Sequence, residues 1–401
     1  MTGFVFDPFA PGFAADPYPH YARLRAHAPA YEHPLGFWIL SRHADVAALQ
    51  RSSHSVDEAN LTRLPAWKSD SDRLGKRNRI MGGLSMLDQD PPDHTRLRRL
   101  VTKAFSRRAI AEWEPRAADH VAAGLDRIAA AGTTDLVAEL AFPLPFAIIS
   151  EMLGIPEVEH TRLRELTAVL VLALEPLADP ALQTRIRAAD TELLDLVGEL
   201  VHWKRTHPGD DLLSALITAE HEGDALTTAE LTAQVMLLYL AGHETTVNHL
   251  AGGLLALLEN PAQAALLRAR PELAVNAVDE LLRYDTPVHL MRRITVGPLR
   301  VGDTEIPSGS WVLACLAAAN RDPEFWGEDA DRLRLDRPIA DRHGSFGAGI
   351  HHCVGAALVR LQGRIAFSAF AHRFPDAVLE EVRWNGRINV RGPAALMVSV
   401  R

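Results

Sequence analysis

The sequence predicts a mostly α-helical protein of the α+β class, a large helical body with a smaller β-rich region. Three observations carry this. Tracts at 112–131, 157–174, 184–206 and 228–259 are rich in Ala, Leu, Glu and Arg, the strong helix formers. Turn clusters such as Thr206-His207-Pro208-Gly209-Asp210 and Asn260-Pro261 separate them. Short β-like runs lie elsewhere, at 37–40, at 294–306 with its Gly and Pro turns, at 311–316 and at 396–400.

Composition narrows the class further. The chain of 401 residues is 47% apolar and carries 42 Lys and Arg against 51 Asp and Glu, a net charge of −9. Such a length buries a large core without disulfide staples. No linker-like or repeated segment divides it, so a single domain over 1–401 is expected. Its two Cys, at 315 and 353, exclude a disulfide scaffold and a four-cysteine metal site. The longest stretch without Asp, Glu, Lys or Arg, 343–359, holds three His and four Gly, which does not make a membrane span. The first basic residue is Arg23, so the basic start of a signal peptide is missing and a cytoplasmic protein is expected. One segment contradicts the acidic balance. Residues 94–108 carry Arg96, Arg98, Arg99, Lys103, Arg107 and Arg108 and no acid, which reads as a solvated helix face or as a docking surface for an acidic partner. Only Phe105 is aromatic there, so no nucleic-acid partner is expected.

The loop Phe346-Gly347-Ala348-Gly349-Ile350-His351-His352-Cys353-Val354-Gly355 carries the most chemistry. Its glycines permit tight turns and close approach to a flat ligand. Cys353 directly precedes the helix-forming run that starts at Ala356. Free N–H groups and the positive dipole end there lower a thiol pKa and favour a thiolate, the axial ligand suited to O–O cleavage on iron. Cys315, in the apolar run 311–316, reads as an inert strand residue.

With Phe346, Gly347, Gly349, His351, Cys353 and Gly355 in place, the loop resembles the haem-binding signature of the cytochrome P450 family, FGxGxHxCxG, at every fixed position. The resemblance implies the P450 fold, with the haem between a long central helix and the helix that follows the Cys loop, and Cys353 on the iron. Further segments follow in the family's order from about residue 86 to 355. Ala241-Gly242-His243-Glu244-Thr245-Thr246 lies within 228–259. Ala241 and Thr245 share a helix face, and a mid-helix Gly and back-bonding Thr should loosen the helix and free a hydroxyl for a small ligand. This resembles the family's acid–alcohol pair, in which Thr245 would steady bound dioxygen and Glu244 would relay protons. A zinc protease reading of His243-Glu244 fails, because Val247 stands where the second His belongs.

Glu280 and Arg283, three apart, lie 35 residues after Thr245 and 73 before Cys353, matching the family's ExxR pair. An Arg of the 331–338 run should complete that network, and Arg332 is the expectation. After Pro91-Pro92, His94 and Arg98 fall four apart on one helix face. The resemblance implies that His94, Arg98, Arg293 and His351 receive the two haem propionates, with Arg292 as the neighbouring alternative to Arg293. His289, where many bacterial members have Gln, should affect pocket polarity only.

The implied cofactor is haem b, held non-covalently, since no CxxCH is present. The implied reaction is activation of O2 with two electrons and two protons, hydroxylating or epoxidising a substrate. No flavin domain is fused, so electrons would come from a ferredoxin and ferredoxin reductase, docked at the 94–108 patch. The loop before residue 86, an apolar lid at 163–182 with Pro176 and Pro180, and the segments 237–245 and 288–291 would line the pocket. They imply a medium-sized apolar or amphipathic small molecule, in bacterial secondary metabolism. A peroxide-driven peroxygenase and a non-catalytic haem-thiolate sensor or carrier are the alternatives.

Overall fold

The computed structural model describes residues 4–63, 80–102, 105–175, 179–219 and 226–400. Helices of eight or more residues among them are α1 (Tyr18–His27), α2 (His43–Arg51), α3 (Asp93–Thr102), α4 (Glu114–Ala131), α5 (Pro143–Leu153), α6 (His160–Leu170), α7 (Pro180–Thr206), α8 (Leu212–Ala219), α9 (Thr228–Glu259), α10 (Pro261–Ala269), α11 (Ala274–Tyr284) and α12 (Ala356–Arg373).

Local chemistry sets the ends of the long helices. Thr227 and Glu230 form a reciprocal capping box that starts α9. Asn260 ends it, and Pro261 opens α10. α9 is buried on all sides over most of its 32 residues, which an amphipathic surface helix would not be. It packs against α5, α7, α11 and α12 and forms the axis of the main core. α7 begins four residues before the predicted 184, because Pro180 follows the capping carboxylate of Asp179, which accepts from the Ala181 N–H. The tract 157–174 splits into α6 flanked by single tight turns at Glu157–Glu159 and Val171–Leu174. Leu163, Leu166, Leu170 and Val171 of the expected lid are buried in the core, while Leu174 remains exposed. Residues 64–79 of the expected pocket loop, and 176–178 of the lid, lie outside the described residues.

The strands are β1 (Ala30–His33), β2 (Phe37–Leu40), β3 (Thr133–Asp135), β4 (Leu290–Ile294), β5 (Leu299–Val301), β6 (Thr304–Ile306), β7 (Trp311–Cys315), β8 (Val378–Trp384) and β9 (Pro393–Ser399). They form a sheet of order β1-β2-β7-β4, a second of order β3-β9-β8, and the hairpin β5-β6. β7 is buried along its whole length, with a parallel neighbour on one side and an antiparallel one on the other. Burial pushes the Cys315 thiol up to about 12, as expected of an inert strand residue. On β4, Arg292 and Arg293 pair with Leu313 and Val312 and so point to opposite faces of the sheet. Among the described residues no single helix is long and apolar enough to cross a membrane, although α9 and α10, bent by 101°, pass that test as a pair.

Candidate functional site

The Cys loop is shaped by two left-handed glycines, Gly347 at φ 67° and Gly349 at φ 71°. A Cβ on Gly349 would stand 2.8 Å from the Gln50 carbonyl oxygen at the end of α2, so the loop passes α2 only as glycine. The Cys353 N–H donates to the Phe346 carbonyl at 2.8 Å, closing the turn. The Arg360 guanidinium covers the Phe346 ring at 4.6 Å. Gly355 and Ala356, at the start of α12, give N–H groups to the Cys353 sulfur, and Arg98 and Arg360 add positive charge. All four lower the thiol pKa, as the helix start predicts. Burial outweighs them, so the bare thiol lies above its ordinary value rather than below it. A coordinated metal ion would reverse this, since coordination deprotonates a thiol outright.

Four basic side chains from three separate segments meet near this loop. His94 and Arg98 come from α3, Arg293 from β4 and His351 from the loop itself. The rings of His94 and His351 are 4.3 Å apart. Arg98 donates through Nη2 to the His352 carbonyl at 2.6 Å. Burial, then the charges of His94, Arg293 and Arg98, push His351 down to about 3. Burial also brings Arg293 down to about 10. Asp90 acts on His94 and Arg293, yet its carboxylate is bound to the Ser55 hydroxyl and the Val56 N–H. Both ring nitrogens of His94 are buried without a partner among the described residues. Orphaned buried ring nitrogens of this kind are costly unless a ligand meets the one that carries the proton. The haem fits: two propionates would satisfy the basic cluster. Gly355 also leaves room, since the nearest atom to a Cβ there would be Cys353 Sγ at 4.0 Å. Arg292 is committed elsewhere, donating to Glu58 at 2.7 Å and to Asp88. That separates it from Arg293.

The basic stretch 94–108 is not one surface. Arg98 turns inward and Arg96 forms an ion pair with Glu230 at the start of α9. Lys103, and the side chain of Arg107, lie outside the described residues. Of the expected patch, Arg99 and Arg108 remain exposed.

On α9, Ala241 is exposed and Gly242, Glu244 and Thr245 are half-buried, within a stretch, 231–257, that is otherwise buried. The helix is not loosened there, contrary to expectation: it runs without interruption from 228 to 259. Thr245 Oγ1 donates to the Ala241 carbonyl at 2.7 Å, so its hydroxyl is turned back on the helix. Gly242 has a packing reason, because a Cβ would approach Ile149 of α5 to 3.2 Å. Glu244 is held by Arg387, a partner 143 residues away in the loop between β8 and β9. Nothing in the local sequence of either residue marks that pairing.

The ExxR pair is fully buried, with Arg283 donating through Nε and Nη2 to Glu280 at 2.7 and 2.8 Å. Arg337, not Arg332, completes it. Arg337 Nε reaches both Glu280 oxygens at 3.2 and 3.1 Å. Arg332 contributes its carbonyl, to Arg283 at 2.8 Å and to Arg337 at 3.1 Å, and its side chain is exposed. The 331–338 run was the right segment, but composition does not distinguish its arginines; burial does. His289 also departs from expectation. It is fully buried, and its Nδ1 lies 3.0 Å from the Tyr21 hydroxyl rather than in a pocket wall.

Comparisons with known proteins agree with this geometry. Residues 65–383 match the family model of cytochrome P450. The chain is 40% identical to cytochrome P450 107B1 of Saccharopolyspora erythraea over 404 residues, covering 97% of this chain and 96% of that protein. It is 38% identical to the cytochrome P450 monooxygenase PikC of Streptomyces venezuelae, over 97% and 92% of the two chains. The solved structure of the Bacillus subtilis bacillaene polyketide synthase cytochrome P450 PksS superposes with a TM-score of 0.88 at 33% identity, over 99% and 100% of the chains. A cysteine loop opening a helix, a buried Glu–Arg–Arg network and relatives matched over nearly their full lengths lead to one assignment: the chain belongs to the cytochrome P450 family, as a haem-thiolate monooxygenase.

Proposed function

We propose that this single-domain protein, 1–401, binds haem b with Cys353 as its axial ligand and oxidises a medium-sized apolar small molecule in the cytoplasm. One observation carries the reading. A half-buried thiol at the start of α12 lies in a loop met by four basic side chains, and His94 among them has no partner for either ring nitrogen among the described residues. His94, Arg98, Arg293 and His351 would hold the propionates. Phe346, Gly347 and Gly355 would frame the proximal face, and Ala241 would leave clearance on the distal one.

The haem supplies the activation of O2 with two electrons and two protons. The protein's own residues govern the protons and the geometry. The Thr245 hydroxyl now donates to the Ala241 carbonyl, and turning it away frees that proton for a ligand above Ala241. Glu244 can pass a proton onward only once its carboxylate leaves Arg387, because that ion pair holds it in place. Ferredoxin and ferredoxin reductase would supply electrons, with Arg99 and Arg108 on the docking face. A relative is named for polyketide biosynthesis, and this supports a substrate of bacterial secondary metabolism.

The test is spectroscopic and then kinetic. The reduced protein with CO should show the thiolate Soret band, and Cys353→Ser should abolish it; a retained band would overturn the ligand assignment. NAD(P)H consumption with reduced ferredoxin, rather than turnover with peroxide alone, should accompany product.

A further inference from the structure

The loop that carries Arg387 is held by a carboxylate from within the 163–182 segment. Glu175 directly follows the turn Val171–Leu174 and is 8% exposed. Its oxygens accept from three consecutive backbone amides of the loop between β8 and β9. These are Ile388 at 2.7 Å, Asn389 at 3.1 Å and Val390 at 2.9 Å. Asn389 adds a bond back from Nδ2 to the Leu174 carbonyl at 3.0 Å. A buried carboxylate needs several donors, and the buried amides of Ile388 and Val390 and the half-buried one of Asn389 need an acceptor, so each satisfies the other.

The other bonds of the loop lead elsewhere. The Asn389 carbonyl accepts from the His289 N–H at 2.9 Å, and its Oδ1 accepts from the Leu290 N–H at 2.9 Å. Asn385 accepts from the Arg387 N–H at 3.0 Å, which aims that residue's backbone. From there the Arg387 guanidinium crosses to Glu244 on α9. A continuous path of hydrogen bonds, backbone and one ion pair thus joins the turn after α6 to the acid of the central helix. Its order is Glu175, the amides 388–390, Arg387, Glu244.

We propose that Glu175 and Arg387 are positioning residues that tie the state of Glu244 to the seating of the 171–175 segment. With Glu175 on the loop, Arg387 is aimed at Glu244 and the carboxylate is held. When the segment lifts, the loop loses its acceptor, Arg387 loses its aim, and Glu244 is released. The inference rests on Glu244 being the proton-handling acid, and it concerns what controls that acid.

The experiment uses the haem-loaded full chain and reads two quantities that do not depend on turnover. Amide hydrogen exchange follows the 385–392 segment, and carbodiimide labelling with a glycine amide follows the Glu244 carboxyl. Glu175→Gln keeps the shape but removes the charge, and should speed exchange of amides 388–390 by about tenfold or more. It should raise Glu244 labelling in parallel. Arg387→Met should raise the labelling while leaving exchange at 388–390 near wild type. Glu175→Asp should lie between wild type and Gln, and serves in its place if the Gln variant does not retain the thiolate CO band. Unchanged exchange in the Glu175 variants would remove the latch. Faster exchange with unchanged Glu244 labelling would remove the coupling, and so would faster exchange spread evenly into α9. Peroxide leakage in Glu244→Gln tests the role of the acid itself, so failure of that reading is seen separately.

Discussion

Arg337→Met is expected to be among the most damaging single substitutions outside the haem site, whereas Arg332→Ala should be nearly silent. Arg337 is 3% exposed and supplies six hydrogen bonds or charged contacts. Besides both Glu280 oxygens, it reaches the Trp326 carbonyl at 3.3 Å, Asp329 Oδ1 at 3.0 Å, and the carbonyls of Asp329 and Arg332 at 3.0 and 3.1 Å. Truncation leaves the Glu280 carboxylate supported by Arg283 and the Arg334 N–H, but with one positive charge fewer. The Trp326 and Asp329 carbonyls lose this donor, at about 1 kcal/mol or more each where no water replaces it. Removing one partner of a buried ionic network costs about 3–5 kcal/mol, a factor of roughly 10² to 5 × 10³ in the folding equilibrium. Arg332 takes part through its backbone, which Ala preserves, so its loss should stay within about 0.5 kcal/mol. The assay is the urea midpoint followed by far-UV circular dichroism and by loss of the reduced CO band, both variants under one set of conditions. If Arg332→Ala shifts the midpoint as far as Arg337→Met, the buried network is not organised as described.

Arg293→Met should speed haem transfer to apomyoglobin by about tenfold or more, through the loss of a charge-assisted bond. Arg292→Met, which breaks contacts with Glu58 and Asp88, should change it much less; equal effects would return the ambiguity between them. His249 is buried against Phe367, with no partner for either ring nitrogen among the described residues, and burial pushes it down to about 3. Between pH 6.5 and 3 the unfolded chain therefore binds a proton there that the folded one does not, so stability falls as pH falls through that window. His249→Leu should flatten the fall by up to about 1.4 kcal/mol per pH unit, read from urea midpoints at pH 7 and pH 5; an unchanged slope would show that His249 charges in the fold. Gly349→Ala should destabilise even the apoprotein by about 1–3 kcal/mol, because its φ is left-handed and its Cβ meets Gln50. Gly355→Ala should spare the apoprotein and impair only haem uptake; a large loss of apoprotein stability would refute that.

The sequence by itself determined the chemistry and much of the scaffold of this protein. The bounds of α9 were legible as the helix-forming tract 228–259 ended by the Asn-Pro pair at 260–261, and the structure adds the capping box at Thr227 that starts it. The Cys loop was legible because glycine, histidine and cysteine at fixed offsets reflect demands within ten residues of chain. The strands 299–301 and 304–306 were seen only within one β-like run at 294–306, and residues 290–293 were not seen as strand, since these edges depend on pairing with β7 and with each other. Tertiary structure decided whatever depends on distant partners. It set Arg337 rather than Arg332 against Glu280, turned Arg293 and Arg292 to opposite faces of β4, and drew Arg96 and Arg98 out of an apparent basic patch. It brought Arg387 and, through its loop, Glu175 to the acid of α9. The reason is physical. Capping, turn and helix preferences act over a few residues, whereas burial and ion pairing act between whatever surfaces the fold places together. A basic or acidic side chain carries no mark of its partner until the chain has closed around it.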